Sequence, residues 1–379
     1  MRVSFKIVVG LLVTATVATV IAFSNTYIGR YIRWNMPDVY DLTKFPSVAI
    51  RHLGESRQFV KGYDHTITEM NVMHEGVKVP LKDLLSQSKT RAFIVLLNDT
   101  VLVENYPLGD TPETLFKSYS MTKSLLSLLI GIAIDEKKIS SVESPIGNYI
   151  PNLSPDIARL TIKECLLQTT RICYNESYWP WSDEPRWYYT TDARTLTKQV
   201  TIDENRPSAY ENVEYNVLLL GMVLENATGT SISQYVEEKI WKRAGMEQDA
   251  SFSVDSEKNR FEKVGDGFNC RAMDMLSLGK LLLDSGMYKG RSVIPKHWIK
   301  VSTSFENSIP SNWSNTNYNY LWWVLSNGDY YANGHFGQYI YISPRNKTVI
   351  VRLGEESAGI CWWCVWPQLA GNMKKNGKL

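Results

Sequence analysis

The sequence predicts an α+β fold: an antiparallel sheet flanked by helices, with a mainly helical region inserted between its strands. Three observations point there. Strand-like runs lie towards both ends, at residues 91–106 and 320–354. Helical periodicity dominates the stretch between them. The order is therefore strands, helices, strands, and distant strand runs most simply close one sheet.

The elements follow in order. "RAFIVLLNDTVLVENY" (91–106) is a pair of β-rich runs broken at Asn98-Asp99, a hairpin signature. "FKSYSMTKSLLSLLIGIAIDEKKI" (116–139) opens a long apolar helix, after which Pro145 and Pro151 mark connections. Residues 161–197 form an aromatic-rich loop region holding Trp179, Trp181, Trp187, Tyr188 and Tyr189. "NVLLLGMVLENATGTSISQYVEEKIWKRAG" has helical spacing with Gly229 and Gly245 as stops, and "CRAMDMLSLGKLLLDSG" ends at Gly286. "YLWWVLSNGDYYANG" and "QYIYISPRNKTVIVRLG" return to strands, with Pro344-Arg345-Asn346 in a turn.

A chain of 379 residues, 44% hydrophobic and 21% charged, has the material for a sizeable core. Its net charge of +2, with no long Lys/Arg block, excludes nucleic acid as a partner. Residues 7–23 are uncharged, with Arg2 and Lys6 before them and Arg30 and Arg33 after. That run is a signal peptide core or a membrane anchor, so export is expected, with membrane attachment if the segment is not cleaved. The expected division is 1–28 as that segment, 29–88 as an irregular lead-in, and 89–379 as the main domain. Five cysteines do not make a disulfide framework in a chain this long, though one or two disulfides are compatible with export. "CWWC" (361–364) lacks a second CxxC or a paired His motif, which favours a structural or surface role. His52, His65, His74, His297 and His335 show no metal-ligand grouping, so no metal or organic cofactor is implied.

Ser120 and Lys123 sit at i and i+3, on one face of the predicted helix. A serine hydroxyl needs a neighbouring base to become a nucleophile, and a helix N-terminus favours developing negative charge. The competing explanation is an N-cap serine followed by a solvated lysine. The same spacing recurs at Ser86 and Lys89, where a strand run rather than a helix follows.

Ser-Met-Thr-Lys opening an apolar helix resembles the serine β-lactamase and penicillin-binding-protein superfamily. Within it, the chain is most similar to class C β-lactamases, family VIII-type esterases and the 6-aminohexanoate-dimer hydrolase group. "YNESYWPWSD" (174–183), the Leu-Gly to Gly-Met segment in 217–250, the helix in 268–286 and "GHFGQYIYISPRNKTVIVRLG" (334–354) supply further landmarks in order. The resemblance spans roughly residues 80–365. It implies a β-lactamase-like fold, an acyl-enzyme on Ser120, and a small-molecule amide or ester substrate.

It also implies site residues. The second motif, Tyr-x-Asn, is matched as written by Tyr210-Glu211-Asn212, whereas Tyr215 precedes Asn216 directly. The usual family distance, counted back from Gly221, falls on Asn212; choosing Tyr210 assumes a two-residue loop extension. Lys123 and Tyr210 would then relay the proton, one of them losing its own well below the ordinary pH, with Asn212 meeting a substrate amide. The third motif reads His335-Phe336-Gly337, ahead of a strand taken as edge-forming, with His335 and Gly337 lining the substrate site. The N–H groups of Ser120 and Gln338 would form the oxyanion hole. Tyr178 and Trp181 are expected to cover the substrate, and Arg171 stands where the family loop commonly has glycine. Two other readings stay open: a catalytically silent penicillin-binding-like envelope protein, and a β-lactamase or D,D-peptidase. An α/β-hydrolase is disfavoured because the chain has no G-x-S-x-G.

Overall fold

A computed structural model describes residues 26–311 and 313–375, together with Thr14 and Phe23. The expected signal or anchor segment therefore lies almost wholly outside the described residues. Among the described residues no helix is long and apolar enough to cross a membrane.

The main sheet contains β1 (Val60–Lys61), β2 (Thr90–Leu97), β3 (Thr100–Asn105), β4 (Ile309–Pro310), β5 (Thr316–Asn319), β6 (Trp322–Leu325), β7 (Tyr330–Gly334), β8 (Gln338–Ser343) and β9 (Thr348–Gly354). Its spatial order is β4-β5-β6-β7-β8-β9-β2-β3-β1. Every pairing is antiparallel except the short β1–β3 contact at the edge. The two ends of the chain meet at β2 and β9, in register from Thr348 opposite Leu97 to Leu353 opposite Ala92. Both strands are buried along their whole length, which is why they read as continuous apolar runs rather than alternating ones.

Helices cover both faces of this centre. α1 (Met121–Asp135) and α3 (Ala272–Leu283) pack on one side, and α4 (Trp362–Lys375) on the other. Between them in sequence lies α2 (Glu214–Thr228), which packs against α1 and ends at Gly229, a left-handed C-cap. Residues 121–133 of α1 are all buried, as expected of a helix apolar on every face. On the α4 face, Phe93 of β2 and Tyr339 of β8 meet Trp366 at ring separations of 6.1 and 6.2 Å.

The segment expected to be an irregular lead-in is tied into the fold. Ser47–Ile50 is the edge strand of a second sheet, paired with Ala250–Ser253, beyond which follow Phe268–Arg271 and then Leu115–Lys117. It is only four residues long and only Ile50 is buried, so it carries no strand pattern long enough to read.

Arg352 of β9 faces the α4 side, fully buried. Its guanidinium donates to the carbonyls of Phe336, Gly337, Ser88 and Glu356 and to Thr90 Oγ1, and it lies 4.8 Å from the Trp362 ring. One side chain thus ties the β7–β8 turn to the sheet and to α4. Arg352→Met strands several buried carbonyls, so we expect a loss of about 3 kcal/mol or more in urea unfolding. A loss below about 1 kcal/mol would mean that those carbonyls find other partners.

Candidate active site

The strand Leu115–Lys117 leads straight into the N-terminus of α1. Tyr119 there has φ of 49°, a left-handed conformation that is strained for a bulky residue, and its hydroxyl donates to the Asp38 carbonyl. Ser118 N donates to Phe268 O at 2.9 Å, and Ser118 Oγ and Thr122 Oγ1 are 2.8 Å apart. Ser120 takes the N-cap position, yet its side chain makes no capping hydrogen bond. Its hydroxyl is not spent on the helix, and Ser120 lines a cavity of about 610 Å³. The second Ser/Lys pair sits instead at the end of the helix Leu81–Gln87, where Lys89 pairs with Glu356.

Lys123 lines the same cavity with its side chain 5% exposed. Its Nζ donates to Asn212 Oδ1 at 2.9 Å and pairs with Glu214 Oε2 at 2.7 Å. Burial raises the Glu214 carboxyl above the ordinary range, and the Lys123 charge opposes that. The position reached by counting back from Gly221 is thus the one that bonds the lysine. Glu214 was missed, although the same count places it on the motif's asparagine.

Tyr210 lies in the cavity wall, its ring 4.7 Å from Tyr318 and 5.6 Å from Trp323. Burial, with Glu176 and Glu214 adding to it, pushes its phenol above the ordinary value. That runs against the expectation of an easily deprotonated Tyr210. Tyr215 points elsewhere, its hydroxyl donating to Asp183 Oδ1 at 2.7 Å.

His335-Phe336-Gly337 forms a tight turn between β7 and β8, which are interior strands rather than an edge. Phe336 has φ of 63° and Gly337 of 77°. A Cβ on Gly337 would lie 2.1 Å from Arg352 Nη1, so glycine is required by both conformation and space. His335 and Gly337 line the cavity opposite Ser120. Surrounding protein lowers the His335 pKa through desolvation. Gln338 is buried, its side-chain amide bonded to Gly354 in both directions, while its neighbours Gly337 and Tyr339 face the cavity.

A smaller recess of about 140 Å³ adjoins Ser120, with Tyr178, Glu176, Glu184, Trp187, Asn212 and Glu214 among its walls. Tyr178 borders the site there. Trp181 does not: it is 70% exposed, stacks on Trp179 at 5.5 Å and lines neither space. Trp187, Tyr188 and Tyr189, read as loop, belong to a short helix, Asp183–Tyr189, and are buried. Arg171 has φ of 61°, the left-handed conformation for which the family loop uses glycine. Among the described residues no group of side chains is arranged to hold a metal ion, and Cys361 and Cys364 form a disulfide.

Desolvation pushes Glu184 up to about 7, against the hydrogen bond donated by Tyr174. A carboxyl whose folded pKa lies above its unfolded one binds the extra proton in the native state. Stability from this group is therefore present at low pH and falls as pH rises towards 7. We expect Glu184→Gln to flatten the decline in Tm between about pH 4.5 and 7. An unchanged slope would contradict the assignment.

Comparison with known proteins shows the family and the fold. The β-lactamase family model matches residues 87–356, more than half of the chain. A 6-aminohexanoate-dimer hydrolase from Paenarthrobacter ureafaciens is 26% identical over 302 residues, covering 72% of this chain and 74% of that protein. A Bacillus anthracis structure described as a candidate 6-aminohexanoate-dimer hydrolase superposes with a TM-score of 0.78 at 22% identity, over 91% of this chain and 95% of that one. The hydrolase EstCE1, described as having promiscuous acyltransferase activity, gives a TM-score of 0.60 at 14% identity, over 77% and 95% of the respective chains. An uncapped serine and a buried lysine at the start of α1, a glycine-dependent turn opposite them, and a family match spanning both agree: the chain belongs to the β-lactamase family of serine hydrolases.

Proposed function

We propose that the protein cleaves a small amide or ester through an acyl-enzyme on Ser120. The observation that carries this is the unspent Ser120 hydroxyl beside Lys123, both opening onto one cavity at the N-terminus of a buried helix. Ser120 Oγ attacks the carbonyl carbon while Lys123 takes its proton. The carbonyl oxygen becomes an oxyanion, held by the backbone N–H groups of Ser120 and Gln338. Tyr210, whose raised pKa keeps it a phenol, passes its proton to the departing amine or alcohol and takes the serine proton on from Lys123, which returns both groups to their starting state. Water then repeats the sequence on the acyl-enzyme and frees the acid. That Asn212 and Tyr178 line the spaces beside Ser120 supports a substrate-contact role for both.

The resemblance to 6-aminohexanoate-dimer hydrolases supports a small amide. His335 supports the same choice over a β-lactam. A histidine, unlike a lysine, is no permanent cation at pH 7, so it offers a β-lactam carboxylate no fixed positive partner. The apolar run at residues 7–23 supports export.

A fluorophosphonate probe tests the reading. We expect one adduct per chain, on Ser120 by peptide mapping, and its loss in Lys123→Ala. Tyr210→Phe should slow p-nitroanilide hydrolysis by about 100-fold or more. An unlabelled, folded wild-type protein would favour a catalytically silent scaffold, and untouched hydrolysis in Tyr210→Phe would remove that tyrosine from the relay.

A further inference from the structure

A lysine ammonium carries three N–H donors on a flexible four-carbon stem, so a lysine that must meet one hydroxyl has to be restrained. Here two acceptors do so from the start of α2 and the residues just before it: Glu214 Oε2 at 2.7 Å and Asn212 Oδ1 at 2.9 Å. The remaining direction at Nζ, which carries the lone pair once the ammonium has lost a proton, is left for Ser120, one helical turn away on the same cavity.

Glu214 is itself held by space rather than by a hydrogen-bond network. Its side chain is 4% exposed, and Oε1 has no hydrogen-bond partner among the described residues. A Cβ on Gly265 would lie 1.5 Å from that oxygen, so the carboxylate occupies room that only glycine leaves open. The loop that carries Gly265 also carries Lys263 and Asp266, which pair with each other at 3.5 Å, while Lys117 pairs with Asp266 at 2.9 Å. Among the described residues the ion pair that Glu214 makes is with Lys123.

We propose that Glu214 is the positioning residue of the site: with Asn212, and with clearance provided by Gly265, it fixes the Lys123 Nζ where it meets Ser120 Oγ. The kinetic consequence rests on the serine hydrolase reading above, whereas the restraint of Lys123 does not.

Two readouts test this. The first is the fluorophosphonate reaction of Ser120, resolved into kinact and KI. Glu214→Ala should lower kinact by about 100-fold with KI unchanged, because the reacting groups lose alignment while the cavity stays. Gly265→Ala, which crowds the carboxylate out of place, should act in the same direction. Glu214→Gln keeps length and an acceptor oxygen, and should recover kinact to within about tenfold of wild type. The second readout is acetic anhydride footprinting by mass spectrometry, which needs no catalysis. Lys123 should be protected in wild type and Glu214→Gln, and modified in Glu214→Ala and Gly265→Ala.

If Glu214→Ala does not fold, Gly265→Ala and Glu214→Gln decide. Wild-type kinact in Gly265→Ala, a rise in KI in place of a fall in kinact, or a Glu214→Gln protein as slow as Glu214→Ala would overturn the proposal. So would Lys123 being acetylated in wild type as fast as surface lysines. A wild-type protein that takes no label but shows the footprinting pattern would instead defeat the hydrolase reading and leave the restraint of Lys123 standing.

Discussion

The pairing of β9 between β8 and β2 is the contact on which the site depends. It joins residues 90–97 to residues 348–354 across more than two hundred positions of intervening chain. Because β9 is locked there, Arg352 reaches the Phe336 and Gly337 carbonyls and fixes the turn that carries His335. The end of β7 is pressed against the segment that leads into α1: a Cβ on Gly334 would lie 2.4 Å from the Ser118 carbonyl oxygen. The backbone on one side of the cavity and the serine on the other are thus set by one long-range strand pair.

Around this frame the chain buries charge in pairs. Lys123 meets Glu214 from α2, and Lys117 meets Asp266 beneath Tyr119 and Tyr188. Such pairs contribute little net stability, since desolvation offsets most of their attraction, but leaving one partner alone is costly. Their value here is geometric. A lysine fixed by two acceptors has few ways to turn, and the α1–α2 contact is anchored at the point where chemistry is proposed.

Much of the fold was legible in the sequence because its two periodicities are clean. The runs at 91–106 and 320–354 carry strand composition with turn residues where Asn98 and Gly328 now take positive φ. Gly229 caps its helix with a left-handed φ of 70°, whereas the next helical segment ends at Trp241, before Gly245. The strand at Ser47–Ile50 was not legible, being short, mostly exposed and defined by a partner two hundred residues away. The start of α1 was legible from residue spacing, whereas the partner of Lys123 was not. Local motif matching favours Tyr210, but where Lys123 Nζ points is decided by how α2 docks on α1, and that docking brings up Asn212 and Glu214. Trp181 illustrates the opposite error: aromatic composition suggested a cover, and stacking on Trp179 keeps it in solvent.

The account's central claim is that Ser120, a restrained Lys123 and the β7–β8 turn form one preorganised acyl-transfer site. A crystal structure of the protein after phosphonylation of Ser120 tests it most directly. The account predicts a phosphonyl oxygen within about 3 Å of the Ser120 and Gln338 backbone nitrogens, with Lys123 Nζ still held by Glu214 and Asn212. A phosphonyl oxygen turned to solvent, or Lys123 swung away from both acceptors, would contradict it.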